Sequence, residues 1–328
     1  MRLIGLAVVL ILSLALAPLA AETQQAGKVP RIGLITGLSE STARSRVEAF
    51  GQALRELGFI EGRTVAVEYY YLNGDWKRVS TVLVELIRLD VNVIVAHGSP
   101  PAVAAKRATS VVPIVMFEVG DPIGMGLVPS LAKPGGNVTG VAQVVAHEIY
   151  GKQLQMLVDL IPRLSRVALL WNPANLAQPA VVKQTEAAAK TLGITLQSLT
   201  AQGPDDFEKA VLSAIRGRSG ALIVSRDAIF ANHVGRLVEL TAVHRLPAIY
   251  GYGSFAEAGG LIGYGPDPVE ISRRAAALVA RILNGAKPSD LPVEQPTKFE
   301  LVINLKTAKA LGITIPQSIL VRADELIQ

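Results

Sequence analysis

Residues 97–103, HGSPPAV, lie between an apolar run, VNVIVA, and a helical-looking stretch, AVAAKRATS. A serine followed by prolines at a strand-to-helix junction predicts a helix that begins near Pro100, with first amides and a dipole that attract an anion. Ser99 stands there either as the N-cap or as a hydroxyl donor to a carboxylate. Other apolar runs end in polar residues too. Thr36, in ITGLSES, offers a hydroxyl to a ligand or caps the next helix; Asp121, in VGDP, accepts from an ammonium group or shapes a turn before Pro122. In WNPAN, Asn172 and Asn175 present neutral amides suited to a polar solute held reversibly. Asp227, after ALIVS, is the strongest ammonium partner, unless its neighbour Arg226 occupies it or forms an anion site of its own. Tyr252, in IYGYGSF, is placed to cover an apolar or aromatic ligand, whereas Tyr250 and Trp171 read as core.

Little here suits catalysis. The chain lacks the G-x-S-x-G and H-E-x-x-H arrangements, G-x-G-x-x-G, and a phosphate loop; KPGGNVTG has the wrong spacing for the last. The four histidines show no metal spacing and there is no cysteine, so no metal site, catalytic residue or cofactor is expected. A hydrolase using Ser99 as nucleophile and His97 as base would need a third, orienting group that the sequence does not reveal. Reversible binding needs only convergent polar groups and a hinge.

The elements that position these residues occur twice. PRIGLITG, then SRVEAFGQALRELG, then TVAVEYYY, matches RVALLWNP, then AVVKQTEAAAKTLG, then ITLQSL. Arg31 is as far from Arg166 as Gly58 is from Gly193, and Pro113 and Pro247 are related by one residue less. Apolar strands without alternation, each followed by an amphipathic helix, predict parallel sheets covered on both faces. The fold class is therefore α/β, with two similar doubly wound parallel-sheet lobes joined by a hinge. Residues 29–141 form lobe 1, joined by 265–289, and residues 142–264 form lobe 2, joined by 290–328. Ligands of such sheets sit beyond the carboxyl ends of the strands, where the polar residues above are found.

The chain opens with a basic residue, Arg2, an apolar run LIGLAVVLILSLALAPLA, and small residues at Ala20 and Ala21. That pattern predicts a signal peptide over residues 1–21, cleaved on export; without cysteine it cannot be a lipoprotein anchor. The remainder is too long for one ordinary core and suits two domains. Lys and Arg number 32 against 27 Asp and Glu, without a basic run, so nucleic-acid binding gains no support. No later run approaches a membrane span, so no stable membrane insertion is expected after cleavage.

Several segments carry a resemblance: LRELGFIEGRTVAVEY, PIVMFEVGDPIGMGLVPSLAKPGGNVTGV, RVALLWNPAN, HRLPAIYGYGSFAEAGGLIGYGPD and LPVEQPTKFELVINLKTAKALGITIP. Together they make the chain resemble periplasmic substrate-binding proteins of ABC transporters, of the type I binding-protein fold and the tryptophan/tyrosine-type family. The resemblance implies two lobes that close over a small solute and hand it to a membrane permease. Two departures stand out. Ser99, Pro100 and Pro101 replace a threonine and a single proline, and Ser225, Arg226, Asp227 and Ala228 replace an LPDP. The expectation is a monomeric periplasmic protein that captures a carboxylate-bearing solute, an amino acid or an aromatic acid. A ligand-presenting sensor for a receptor kinase is the alternative. The effector core of a transcription regulator shares the fold but needs a DNA-binding segment where the signal peptide stands.

Overall fold

The structure, a computed structural model, describes residues 29–143 and 146–328; the expected signal peptide lies outside them. The chain alternates strand and helix: β1 (Arg31–Thr36), α1 (Glu40–Glu56), β2 (Ala66–Tyr71), α2 (Val79–Arg88), β3 (Val93–His97), α3 (Ser99–Ala108), β4 (Ile114–Val119) and β5 (Val138–Ala142). The pattern starts again with α4 (Ala146–Leu160), β6 (Arg166–Trp171), α5 (Gln178–Thr191), β7 (Thr195–Thr200), α6 (Phe207–Arg216), β8 (Ala221–Val224), α7 (Ala228–Ala231), α8 (Val234–Val243), β9 (Ala248–Tyr250), α9 (Ser254–Glu257) and β10 (Ile262–Pro266). A tail follows: α10 (Pro268–Leu283), β11 (Phe299–Asn304), α11 (Leu305–Leu311), α12 (Gln317–Leu320) and β12 (Glu325–Ile327).

The duplication read from the sequence is built into the topology. One sheet has the order β2-β1-β3-β4-β5; the other, read from its β7 edge, runs β7-β6-β8-β9-β10 and then adds β11 and β12. Corresponding strands thus occupy corresponding places. All pairings are parallel except β10 with β11. Gly58 and Gly193, at matching positions after α1 and α5, have φ of +90° and +69°, a backbone region in which a side chain is costly.

Each sheet buries both faces, as uninterrupted apolar strands require. In β1, Ile32 and Leu34 pack with Phe50 and Leu54 of α1 and with Ile271, Ala275 and Val279 of α10, while Ile35 faces α2 and α3. In the second sheet, α6 and α8 cover one face, and α4, α5 and the tail helices cover the other. The chain passes between the lobes after β5, after β10 and before β11. Between the last two crossings α10 returns to the first sheet, and Glu294 continues along β5, giving and receiving backbone hydrogen bonds with Gly140 and Ala142.

Away from these crossings the lobes also touch. The Ser39 amide donates to Asn232 Oδ1 (2.9 Å) and the Asn232 side-chain amide donates to the Gly37 carbonyl (3.1 Å). Leu38 and Ala43 are buried in the apolar cluster of the second lobe. The carboxyl ends of the two sets of strands therefore face each other across a narrow cleft.

Candidate functional site

Two carboxylates dominate the cleft, one from each lobe. Glu118 belongs to β4, whose pairing with β5 is irregular between Phe117 and Val119. Its φ of +51° is rare for a residue with a side chain, and such a bulge re-aims the residue it displaces. The Glu118 carboxylate accepts from Arg46 Nε at 3.2 Å and Arg226 Nη2 at 3.0 Å, and from the Tyr252 hydroxyl at 3.3 Å. His97 Nε2 lies 3.7 Å away. Burial alone would push this carboxyl up, but the Arg46 and Arg226 charges, with help from His97, hold it well below the usual carboxylate range.

Arg226 thus pairs across the cleft, not with its neighbour. Asp227 is extended, with φ −157° and ψ 149°, and successive side chains of an extended segment point to opposite sides. The Arg226 guanidinium stacks on the Tyr252 ring, 4.0 Å from its centroid, and Nη1 donates to the Gly251 and Pro266 carbonyls at 2.6 and 3.1 Å. Its passage needs two glycines. A Cβ on Gly251 would lie 2.3 Å from Arg226 Cγ, and one on Gly265 would lie 2.6 Å from Nη1.

Asp227 has the opposite surroundings. It caps α7, with Oδ1 accepting from the Ile229 amide at 3.0 Å and from Asn172 Nδ2 at 3.0 Å; Oδ2 accepts from Asn175 Nδ2 at 2.7 Å. Both asparagines are oriented by turns of their own, since their carbonyl oxygens accept from the Ala174 and Ala177 amides. Only neutral donors hold this acid. Burial raises its pKa, and the bonds from Asn175, Ile229 and Asn172 offset that only in part. Three donors leave room for a fourth on a carboxylate with about four acceptor positions.

Between the two acids lies a small pocket with a free volume of about 40 Å³. The first lobe lines it with His97, Gly98, Ser99, Pro100 and Glu118, and the second with Asn175, Asp227, Ala228 and Tyr252. Trp76, Gly120, Gln143 and Ala177 complete the wall. The structure therefore brings Ser99, Pro100, Asn175, Asp227 and Tyr252 to one cavity and sets Asn172 behind Asp227.

Two expected residues stand elsewhere. Thr36 is buried beside β3, where parallel register sets it against His97, with its hydroxyl 2.7 Å from Nδ1; it lines a separate cavity of only about 10 Å³. Asp121 is exposed and folds back to accept from the Gly124 amide at 2.9 Å. Its turn role is what the structure displays.

The helix start is also altered. Gly98, at φ +86°, is the N-cap of α3, while Ser99 begins the helix and its hydroxyl accepts from the Gly120 amide at 3.2 Å. Prolines at 100 and 101 remove two of the first amides, and the Ala102 amide is used by the Gly98 carbonyl. That leaves the Ser99 N–H and hydroxyl as the polar hydrogens at this helix start. Sequence reasoning passed over Glu118, Arg46 and Trp76; an acid in the apolar run VPIVMFEV was the one available signal.

With this geometry in view, comparison with known proteins is direct. The family described as ABC transporter substrate binding protein matches residues 31–327. The chain belongs to this family. Among relatives of this substrate-binding protein, a tyrosine-binding protein of Clostridioides difficile is 24% identical over 286 residues, 87% of this chain and 82% of that protein. The crystal structure of a conserved domain protein from Vibrio cholerae is 25% identical, with a TM-score of 0.86 over 91% of this chain and all of that one. The structure of an ABC domain in complex with L-Trp from Streptococcus pneumoniae is 26% identical, with a TM-score of 0.84 over 92% of this chain and all of that one. Among the described residues no helix is long and apolar enough to cross a membrane, and no group of His, Cys, Asp or Glu could hold a metal ion.

Proposed function

We propose that this chain is the extracytoplasmic solute-binding component of an ABC importer, and that its cleft holds an amino acid with an aromatic side chain. The observation that carries this reading is Asp227, a buried acid held by three neutral donors and facing the pocket without a cation partner. Burying such a charge is costly, and a ligand ammonium would relieve that cost. Across the pocket, the Ser99 N–H and hydroxyl supply donors for the ligand carboxylate, while Trp76 and Tyr252 supply aromatic walls. The tyrosine-binding relative and the L-Trp complex agree in ligand class.

The reading includes export through a cleaved signal peptide over residues 1–21, a monomer, and delivery to a permease by the closed form. We read the protein as a binder, not an enzyme. Thr36, His97 and Glu118 do follow one another like nucleophile, base and acid. However, Thr36 lies outside the main pocket, and Glu118 is committed to two arginines.

Thermal unfolding and titration calorimetry on protein stripped of ligand by unfolding and refolding test the reading. L-tyrosine, L-tryptophan and L-phenylalanine should stabilise it, by about 2.7 kcal/mol at a hundred times the dissociation constant. Tyramine, without the carboxylate, and phenylpropionate, without the amine, should bind at least tenfold more weakly, as loss of a charge-assisted bond predicts. Equal binding of phenylpropionate and L-phenylalanine would sink the role given to Asp227.

A further inference from the structure

The lobes are joined directly beside the place where a solute would sit. Glu118, on the first lobe, accepts from Arg226 Nη2 at 3.0 Å and from the Tyr252 hydroxyl at 3.3 Å, both on the second. Asn232 adds two more bonds between the lobes, to the Ser39 amide and the Gly37 carbonyl. With the lobes held this way, the pocket between Ser99 and Asp227 has a free volume of about 40 Å³, room for roughly three water molecules. An amino acid with an aromatic ring needs several times that space. It enters only when the lobes stand further apart.

Both halves of the cross-lobe pair are provided for when they separate. Glu118 keeps Arg46 Nε of its own lobe at 3.2 Å, and Arg226 keeps the Gly251 and Pro266 carbonyls and the Tyr252 ring. Parting the lobes therefore releases a carboxylate and a guanidinium that each retain a partner and gain water. The costly outcome, a buried charge left alone, does not arise. Arg226 itself does not line the pocket, so it acts on binding through Glu118 and the spacing of the lobes.

We infer that the Glu118–Arg226 pair is an autoinhibitory latch: it holds the empty cleft shut, and a solute loads only after the pair has parted. The latch acts on the empty protein whatever the solute, and only its effect on loading rests on the proposed amino-acid site. A protein whose competent form is a minor fraction binds more weakly by that fraction. Weakening the latch should therefore speed loading and tighten binding, the reverse of what damage to a pocket does.

Two variants test it. Arg226→Met removes the cross-lobe charge while Arg46 still holds Glu118; Tyr252→Phe keeps the ring beside Arg226, removes one hydroxyl bond, and serves if the first variant fails to fold. Small-angle scattering of ligand-stripped protein should give the wild type a radius of gyration matching the arrangement described above, and both variants a larger one. Stopped-flow association of L-tyrosine, followed by tryptophan emission, should be about tenfold faster for Arg226→Met, the weight of one charge-assisted hydrogen bond, and about twofold faster for Tyr252→Phe. Release should stay within about twofold of wild type, so that affinity rises. Identical scattering from the empty wild type and the folded variants would overturn the latch, as would unchanged or slower association. If L-tyrosine bound to none of the three while scattering showed the variants opened, the latch would stand and the amino-acid reading would fall.

Discussion

Glu118 and Asp227 are both buried acids at the ends of central strands, one in each lobe, yet they are maintained in opposite ways. Glu118 is surrounded by charge: Arg46 from its own lobe, Arg226 from the other, with the Tyr252 hydroxyl between. Asp227 is surrounded by amides. The first arrangement completes an ion pair within the protein and joins the lobes. The second leaves a negative charge for something else to complete.

The contrast is broken most severely at Glu118. Glu118→Gln leaves two buried guanidinium groups without a counter-charge and should cost about 3–5 kcal/mol in urea unfolding. The triple variant Glu118→Leu, Arg46→Met, Arg226→Met should recover much of that loss, because apolar residues of similar volume need no counter-charge, whereas replacing Glu118 and Arg226 alone would leave Arg46 unpaired. If the single variant were as stable as the wild type, the cross-cleft pair would not be a stabilising contact.

Asp227→Asn should act on binding instead. Asparagine still caps α7 and sheds a buried charge, which offsets the donor it turns toward Asn175, so stability should change by less than about 2 kcal/mol, while affinity for an amino acid should fall roughly ten- to a hundredfold. Calorimetry on the same preparation separates the two effects. Gly251→Ala should cost about 1–3 kcal/mol by crowding Arg226, and adding Arg226→Ala should remove the larger part of that cost in a double-mutant cycle, leaving the tighter contact with the Arg226 backbone.

The smallest effect is that of pH. Glu118 has a native value below its unfolded one, so its stabilisation is complete above the ordinary carboxylate range and is lost as pH falls through that range toward the native value. Asp227 has a native value above its unfolded one. In the empty protein its charge is a penalty at neutral pH that fades on acidification. Affinity for an amine-bearing solute should therefore weaken on acidification, beginning above the ordinary aspartate range, and Asp227→Asn should flatten that profile.

Much of this was readable from residues alone. The repeat of strand, helix and glycine gave the duplicated sheets, and polar residues after apolar runs marked Ser99, Asn175, Asp227 and Tyr252. What escaped depended on direction and distance. Arg226 and Asp227 adjoin in sequence and so look like a pair, but extended backbone turns them apart. Glu118 meets Arg226 across 108 residues, and no spacing within one strand announces a partner on the other lobe. Thr36 was placed by analogy between loops, whereas parallel register set it beside His97. Two prolines at the start of α3 removed amides that a helix of other composition would have offered.

The order in which the chain visits the two sheets bears on how the protein is made. Ile271, Ala275 and Val279 complete the first core only after the second sheet has been threaded, and β11 and β12 extend the second sheet with the last thirty residues. On a ribosome neither lobe can seal its interior until synthesis is nearly over. The nascent chain should remain loosely structured for most of its synthesis, and both halves should consolidate late and close together in time.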